Sequence, residues 1–287
     1  MKTISKVFSC ILAFSSLLGS VEGQNRYKIW YDKPASYWEE ALPIGNGRIA
    51  AMVFGDPQLE QIQLNEETVS AGSPYQNYNE EAKAALPEMR RLIFEGKYEE
   101  AQNMAATKIL SQVGNEMPYQ TVGRLNIRYQ DHKKVSNYYR DLDISNAMTV
   151  TRYKVDGVEF TEETFASFTD QLVIRHIKSS KPGAINCELF FNTPMRDPKR
   201  SIYGKKGLRL EGITHGSRYF PGKVHYCADL DVKNKGGEVT MANDTLLSVQ
   251  GASELTLYIS MATNFVNYKD ISGDPYQRNK TYLKNAE

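Results

Sequence analysis

From Gly123 to Val266 the chain is one short alternating segment after another, with turn residues between them and no helix-length stretch among them. Met148 to Val155 alternates, reaches Asp156-Gly157, and resumes at Val158. An Asp-Gly pair between two period-two runs predicts a hairpin, because both central residues of a type I′ turn need positive φ. Further runs follow at Leu125–Tyr129, Gln171–Ile177, Ile185–Phe191, Gly207–Leu210, Val224–Leu230, Glu238–Met241, Thr245–Val249 and Glu254–Met261. Ten or more such strands predict a β-sandwich. With no helices alternating between them, a parallel α/β sheet is disfavoured, and no internal repeat of fixed period is present.

Residues 27–70 extend the β pattern. Arg48 to Phe54 has strand length, Gln61 to Leu64 alternates, and Ile44-Gly-Asn-Gly47 and Gly55-Asp-Pro57 supply turns. Residues 80–110 differ. Met89, Leu92 and Ile93 share one helical face, Pro87 suits the first turn of that helix, and Gly96 stops it. Tyr98, Ala101, Ala105 and Ile109 line a second helix. The expected fold is therefore mainly β: a large antiparallel β-sandwich, or super-sandwich, with a short two-helix insertion near residues 80–110. Residues 24–266 make up the sandwich domain. Beyond Val266 the chain turns polar, and 267–287 reads as the start of a linker.

Residues 1–23 have the form of a secretory signal: Lys2 and Lys6, an apolar run from Val7 to Leu18, then small residues ending in Gly23. That run is too short to span a bilayer, which needs roughly 18 or more apolar residues. A secreted or periplasmic location is expected, without membrane insertion. The net charge of +1 argues against nucleic acid as a partner, since phosphate binding requires a basic excess on one face. Beyond the leader, Cys187 and Cys227 are the two remaining cysteines; buried thiols are favoured over a bridge. His132, His176, His215 and His225 are scattered and no cysteine–histidine spacing suggests a metal site, so neither metal nor cofactor is expected.

The stretch 42–74 is dense in amides and carboxylates between turns, groups that bind polyhydroxylated ligands but that also satisfy loop backbone. Glu66 and Glu67 are adjacent, so in a strand they face opposite ways. They make a poor pair for glycoside hydrolysis, which needs two carboxyl groups roughly 5–10 Å apart across one bond. Asp141 and Asp143 share a face and read as a solvated edge. The 18 Tyr, 11 Phe and 2 Trp include a cluster, Trp30, Tyr31, Tyr37 and Trp38. Such rings can stack on sugars or simply pack a sheet.

Several collinear motifs carry a resemblance: Trp30-Tyr-Asp-Lys-Pro-Ala35, Trp38, Ala41-Leu-Pro-Ile-Gly-Asn-Gly-Arg48, Ala51-Met-Val-Phe-Gly55, Ile62-Gln-Leu-Asn-Glu-Glu-Thr68, Leu86 to Tyr98, Met117-Pro-Tyr-Gln120, Tyr139 to Asp143, Asp156-Gly-Val158 and Phe165 to Gln171. Over about residues 27–265 the chain resembles the N-terminal region of glycoside hydrolase family 95, the α-L-fucosidases and related α-L-galactosidases. The resemblance implies a β-super-sandwich followed by a linker and an (α/α)6 barrel. It also implies inverting exo-hydrolysis, with the catalytic acid and base in the barrel. No barrel motif occurs in this chain, so no catalytic residue is assigned. The family's loop near the barrel mouth matches here at Asn65, Glu66 and Thr68, which are the substrate-binding residues the resemblance implies. Glu67 replaces the usual Asp, and the family's tryptophan is absent. The implied partners are a fucosylated glycan and the C-terminal barrel of the same protein, with the isolated chain inactive. A non-catalytic carbohydrate-binding module is the alternative.

Overall fold

The computed structural model describes residues 27–111, 117–195, 197–216 and 220–284. The signal-like segment 1–23 lies outside the described residues. Sixteen strands occur among them: β1 (Lys28–Tyr31), β2 (Leu42–Gly45), β3 (Ile49–Val53), β4 (Leu59–Glu66), β5 (Gly123–Tyr129), β6 (Val135–Asp143), β7 (Met148–Val155), β8 (Val158–Ser167), β9 (Leu172–Ser179), β10 (Ile185–Asn192), β11 (Lys199–Tyr203), β12 (Gly207–Ile213), β13 (His225–Lys235), β14 (Glu238–Asn243), β15 (Leu246–Ala252) and β16 (Glu254–Thr263). They form a nine-stranded sheet, β1-β6-β7-β8-β9-β16-β13-β12-β11, facing a seven-stranded one, β14-β15-β10-β5-β4-β3-β2. Each pairing is antiparallel. This is the predicted sandwich.

Alternation sets which side chains meet between the sheets. Ile62 and Leu64 of β4, Leu125 and Ile127 of β5, and Cys187, Leu189 and Phe191 of β10 form one inner face. Val173, Ile177, Leu230, Leu255, Leu257 and Ile259 form the other, all buried in one cluster. Asp156 (φ 48°) and Gly157 (φ 83°) turn β7 into β8, with Val155 opposite Val158, as the dipeptide predicts. Gly55 (φ 73°) is needed for closeness as well: a Cβ there would stand 2.7 Å from the Tyr138 hydroxyl.

Strands β6 and β11 are among those that depart from the alternation rule. In β6 a bulge between Ser136 and Tyr139, with Asn137 at φ 52°, breaks the pattern. Strand β11 is an exposed edge with little to bury. Asp141 and Asp143 are not a solvated edge. Lys28 of β1 pairs with Asp141 at 3.1 Å, Asp143 caps the next turn by accepting from the Ser145 amide, and both are buried.

The insertion comprises helices α1 (Ala82–Phe94) and α2 (Tyr98–Met104), the latter running into a π turn, Ala105–Ile109. Helix α1 begins five residues before Pro87, so the proline lies inside it. The missing N–H frees the carbonyl of Lys83, four residues earlier, and both Lys83 and Pro87 lie on the exposed side of the helix, where that carbonyl stays open to solvent. Leu92 and Ala101 are buried while Ile93 and Tyr98 stay exposed.

The polar stretch after Val266 also folds. Asp274 accepts from the amides of Tyr276 and Gln277 and starts helix α3 (Pro275–Lys284). An acidic cap followed by proline in the first turn is a helix start. Helix α3 packs on the outer face of the nine-stranded sheet: buried Asn279 accepts from Ser260 and donates to the Cys227 carbonyl. Cys187 and Cys227 are both free and buried.

One group of charges is sealed between the sheets. Arg175 donates to Thr164 Oγ1 at 2.8 Å, to Glu60 Oε2 at 3.0 Å and to Glu162 Oε2. Tyr129 and Tyr153 donate to Glu162 Oε1 at 2.6 and 2.7 Å. Glu60 Oε1 takes the Phe54 and Gly55 amides. Burial, in a site where one guanidinium faces two carboxyl groups, raises the Glu60 pKa to about 7.

Candidate functional site

Strands β4 of one sheet and β16 of the other end at the same rim of the sandwich. Strand β4 delivers Glu66, buried beneath the turn that follows. Its carboxylate accepts from the Thr68 amide at 2.7 Å and the Thr68 hydroxyl at 2.6 Å, and it meets Arg48 Nη1 at 3.3 Å. Burial raises the Glu66 pKa, while the bonds from Thr68 and the nearby Arg48 oppose that rise. Thr68 Oγ1 also contacts Thr263 Oγ1 at the end of β16, which closes the rim between the sheets.

The hydrogens in this cluster are assigned by their partners. Thr68 donates to Glu66, so Thr263 donates to Thr68 and itself accepts from the Phe265 amide. One lone pair remains on the Thr68 oxygen. Toward a ligand Thr68 is therefore an acceptor for a hydroxyl group and not a donor.

Arg48 braces the rim from behind. It donates from Nε to Gln171 Oε1 at 2.6 Å and from Nη1 to the Met261 carbonyl at 2.8 Å, and lies 4.7 Å from the Tyr282 ring centroid of α3. Asn46 accepts from the amides of Arg48 and Ile49 and donates to the Ser167 carbonyl.

The loop after Thr68 is pinned on both sides. Ala71 N donates to Pro118 O, Gly72 N to His215 O, and Gln120 N to Val69 O. Gly72 takes φ 88°, where a Cβ would meet the Met117 sulfur at 2.5 Å. In front of this loop opens a cavity of about 610 Å³. Its polar lining includes Glu67, Thr68, Ser70, Ser73 and Asn77, and its apolar lining Met117, Val224, Phe265 and Ile271. Pro74, Tyr75, Asn77 and Tyr268 line both it and an adjoining hollow of about 660 Å³ bordered by Tyr78 and Lys269.

The three residues singled out from sequence thus occupy three different places. Thr68 lines the cavity. Glu66 is buried behind it and holds Thr68. Asn65 points to the outer face of the seven-stranded sheet, where it accepts from Thr121 at 3.4 Å. Sequence reasoning missed Arg48, Thr263 and Tyr268. The turn Ile44-Gly-Asn-Gly47 marks the approach to Arg48, but no local signal places residues 263–271 against residues 66–77. Among the described residues that line the cavity, Glu67 is the one acidic side chain. Both the inverting and the retaining route to glycoside hydrolysis use a pair of carboxyl groups, and this lining supplies one.

Comparison with known proteins agrees with this architecture. Residues 29–268 match the family described as glycosyl hydrolase family 65, N-terminal domain. The Arabidopsis thaliana protein named alpha-L-fucosidase 2 is 31% identical over 261 residues, covering 83% of this chain and 30% of that protein. Two proteins named "Probable alpha-fucosidase A" also match. The one from Aspergillus oryzae is 22% identical over 91% of this chain and 36% of its own length, and the one from Aspergillus niger 26% identical over 53% and 20%. The chain thus spans about a third or less of the length of these relatives.

Proposed function

Because this chain belongs to the family of glycosyl hydrolase family 65 N-terminal domains, we propose that it is the sandwich domain of a secreted family-95-like α-L-fucosidase. In this reading it packs on a C-terminal helical barrel and completes the pocket for terminal α-L-fucosyl residues of glycans. The barrel contributes the acid and the base for inversion, with a water between them. This chain contributes the wall at the rim.

The observation that carries the reading is the cavity edge at Thr68. An acceptor oxygen is locked by Glu66 and Thr263 at the mouth of an open cavity that has a single carboxylate of its own. A hydroxyl-bearing ligand supplies the donor that this oxygen lacks. An apolar wall of Met117 and Phe265 suits the methyl group of a 6-deoxy sugar. The loop's missing tryptophan leaves Tyr75 and Tyr268 as the rings at the mouth.

Export by residues 1–23 belongs to the same proposal, as does a domain boundary near 266, with 267–287 leading toward the barrel while α3 rests on the sandwich. Thr68→Ala in the full-length protein, assayed with an aryl α-L-fucoside, tests the reading. The loss of one hydrogen bond to substrate lowers kcat/KM by about 0.5–1.5 kcal/mol. An unchanged kcat/KM, or substantial turnover by residues 24–287 alone, overturns it.

A further inference from the structure

The nine-stranded sheet turns one face away from the core, and α3 covers it at β13 and β16. At the opposite edge, Trp30 of β1 and Tyr139 of β6 lie on that face with ring centroids 6.3 Å apart and planes within 20° of each other. Trp30 is 61% exposed. The two planes are nearly parallel, so the half-buried Tyr139 ring backs the exposed Trp30 indole, and a large apolar ring held open to solvent in this way is a feature of binding surfaces.

Antiparallel register extends this platform across the sheet. Tyr139 lies opposite Arg152, Arg152 opposite Thr161, and Thr161 opposite Lys178. The neighbouring row runs from Trp30 over the buried Asp141 and Val150 to Glu163 and His176. Both rows end in a hollow of about 430 Å³ on β8 and β9, lined by Thr161, Glu163, His176 and Lys178. Four adjacent strands from β6 to β9 span about 14 Å at the usual interstrand spacing, long enough for a short oligosaccharide.

The charges in the hollow are of both signs, with Glu159 and Glu163 against Lys178, and Glu159 pairs with Lys154 at 3.6 Å. Such a mixed field favours an uncharged ligand rich in hydroxyl groups over an anion or a cation. No residue of this face lines the rim cavity. We propose that the outer face from β1 to β9 is a second carbohydrate site. It takes a neutral linear oligosaccharide, one pyranose stacked on the exposed Trp30 indole that Tyr139 backs and the next sugars hydrogen-bonded in the hollow at Thr161, Glu163 and His176. This site is independent of the rim reading and stands if that reading fails.

The chain's two tryptophans, Trp30 and Trp38, make the test direct. Trp38→Phe leaves Trp30 as the single indole reporter. Cellotetraose, xylotetraose and mannotetraose are titrated into the 287-residue chain carrying that change. A saturable change in emission is expected with at least one of them. Tyr139→Ala removes the ring that backs Trp30 and weakens it about tenfold, and Glu163→Gln weakens it less. Thr68→Ala and Tyr268→Ala leave it unaltered. Far-UV circular dichroism confirms that each variant is folded. No emission change with any of the three sugars overturns the proposal, and so does a response abolished by Tyr268→Ala but retained in Tyr139→Ala.

Discussion

Arg175 and Arg48 each face a buried glutamate, but one guanidinium is sealed between the sheets and the other braces their open end. The Arg175 side chain has no exposed surface, and its neighbours Glu60 and Glu162 are equally enclosed. The Arg48 side chain keeps 19% of its surface, and its donors reach a side-chain amide and backbone carbonyls as well as Glu66. A sealed charge cluster has to satisfy itself, because water cannot relax around it. A rim cluster shares the task with solvent and can hold a loop in a set conformation while leaving one acceptor free. The same pair of residue types therefore fixes the pairing of the two sheets in one place and presents Thr68 in the other.

Removing the central cation separates the two most sharply. Arg175→Ala leaves two buried carboxyl groups without a counter-charge and destabilises the domain by about 3–5 kcal/mol, read from denaturant unfolding. A loss comparable to that of an ordinary surface substitution would show that the cluster is not sealed in solution.

The pH dependence comes next. The Glu60 pKa in the folded chain is raised to about 7, above its unfolded value near 4.5. The folded state therefore holds an extra proton between those values, and stability falls as pH rises through that window. The stabilisation is fully present below about pH 4.5 and is lost through pH 7, by about 3 kcal/mol. Glu66 is shifted in the same direction. Glu60→Gln keeps an acceptor for the Phe54 and Gly55 amides and flattens the profile. If Glu60→Gln leaves the slope intact, the proton belongs to another group.

At the rim, Arg48→Ala removes charge-assisted bonds to Gln171, Glu66 and the Met261 carbonyl, at about 1.5–3 kcal/mol. Its distinctive sign is local: amide exchange accelerates at Thr68 and Val69 more than at Ile62 or Leu125. Uniform acceleration would make Arg48 a general prop and not a brace for this loop. The smallest effect on stability is that of Thr68→Ala, within about 1 kcal/mol, because Glu66 retains Arg48 and the residue 68 amide. Its activity loss in the full-length protein then stands apart from its stability.

Much of the sandwich was legible because period two is a local property. Asp156-Gly157 announces its hairpin, and Glu254 to Met261 shows its buried face, without reference to any other part of the chain. What escaped reading broke the period or lacked a face to bury: the bulged strand β6 and the edge strand β11. Helix α3 escaped for another reason. Its signal, Asp274-Pro275, is a cap, and its few buried groups, Asn279 and Leu283 among them, give little apolar periodicity. Of the candidate site, Thr68 was legible and Glu66 was legible as a neighbour. The division of labour between them was not, because burial and not residue type makes one a support and the other a lining group.

The sequence by itself determined the class of fold, since each alternating strand carries its own inner and outer face and a slip of one residue would exchange them. Only the tertiary structure decided which strand ends meet. Thr68 and Thr263 are 195 residues apart, and Arg175 lies 115 residues from Glu60. Such partners are chosen by the order in which strands join two sheets and by crossovers between them. No local preference encodes that order, so the rim cavity exists only once both sheets have closed on a common core.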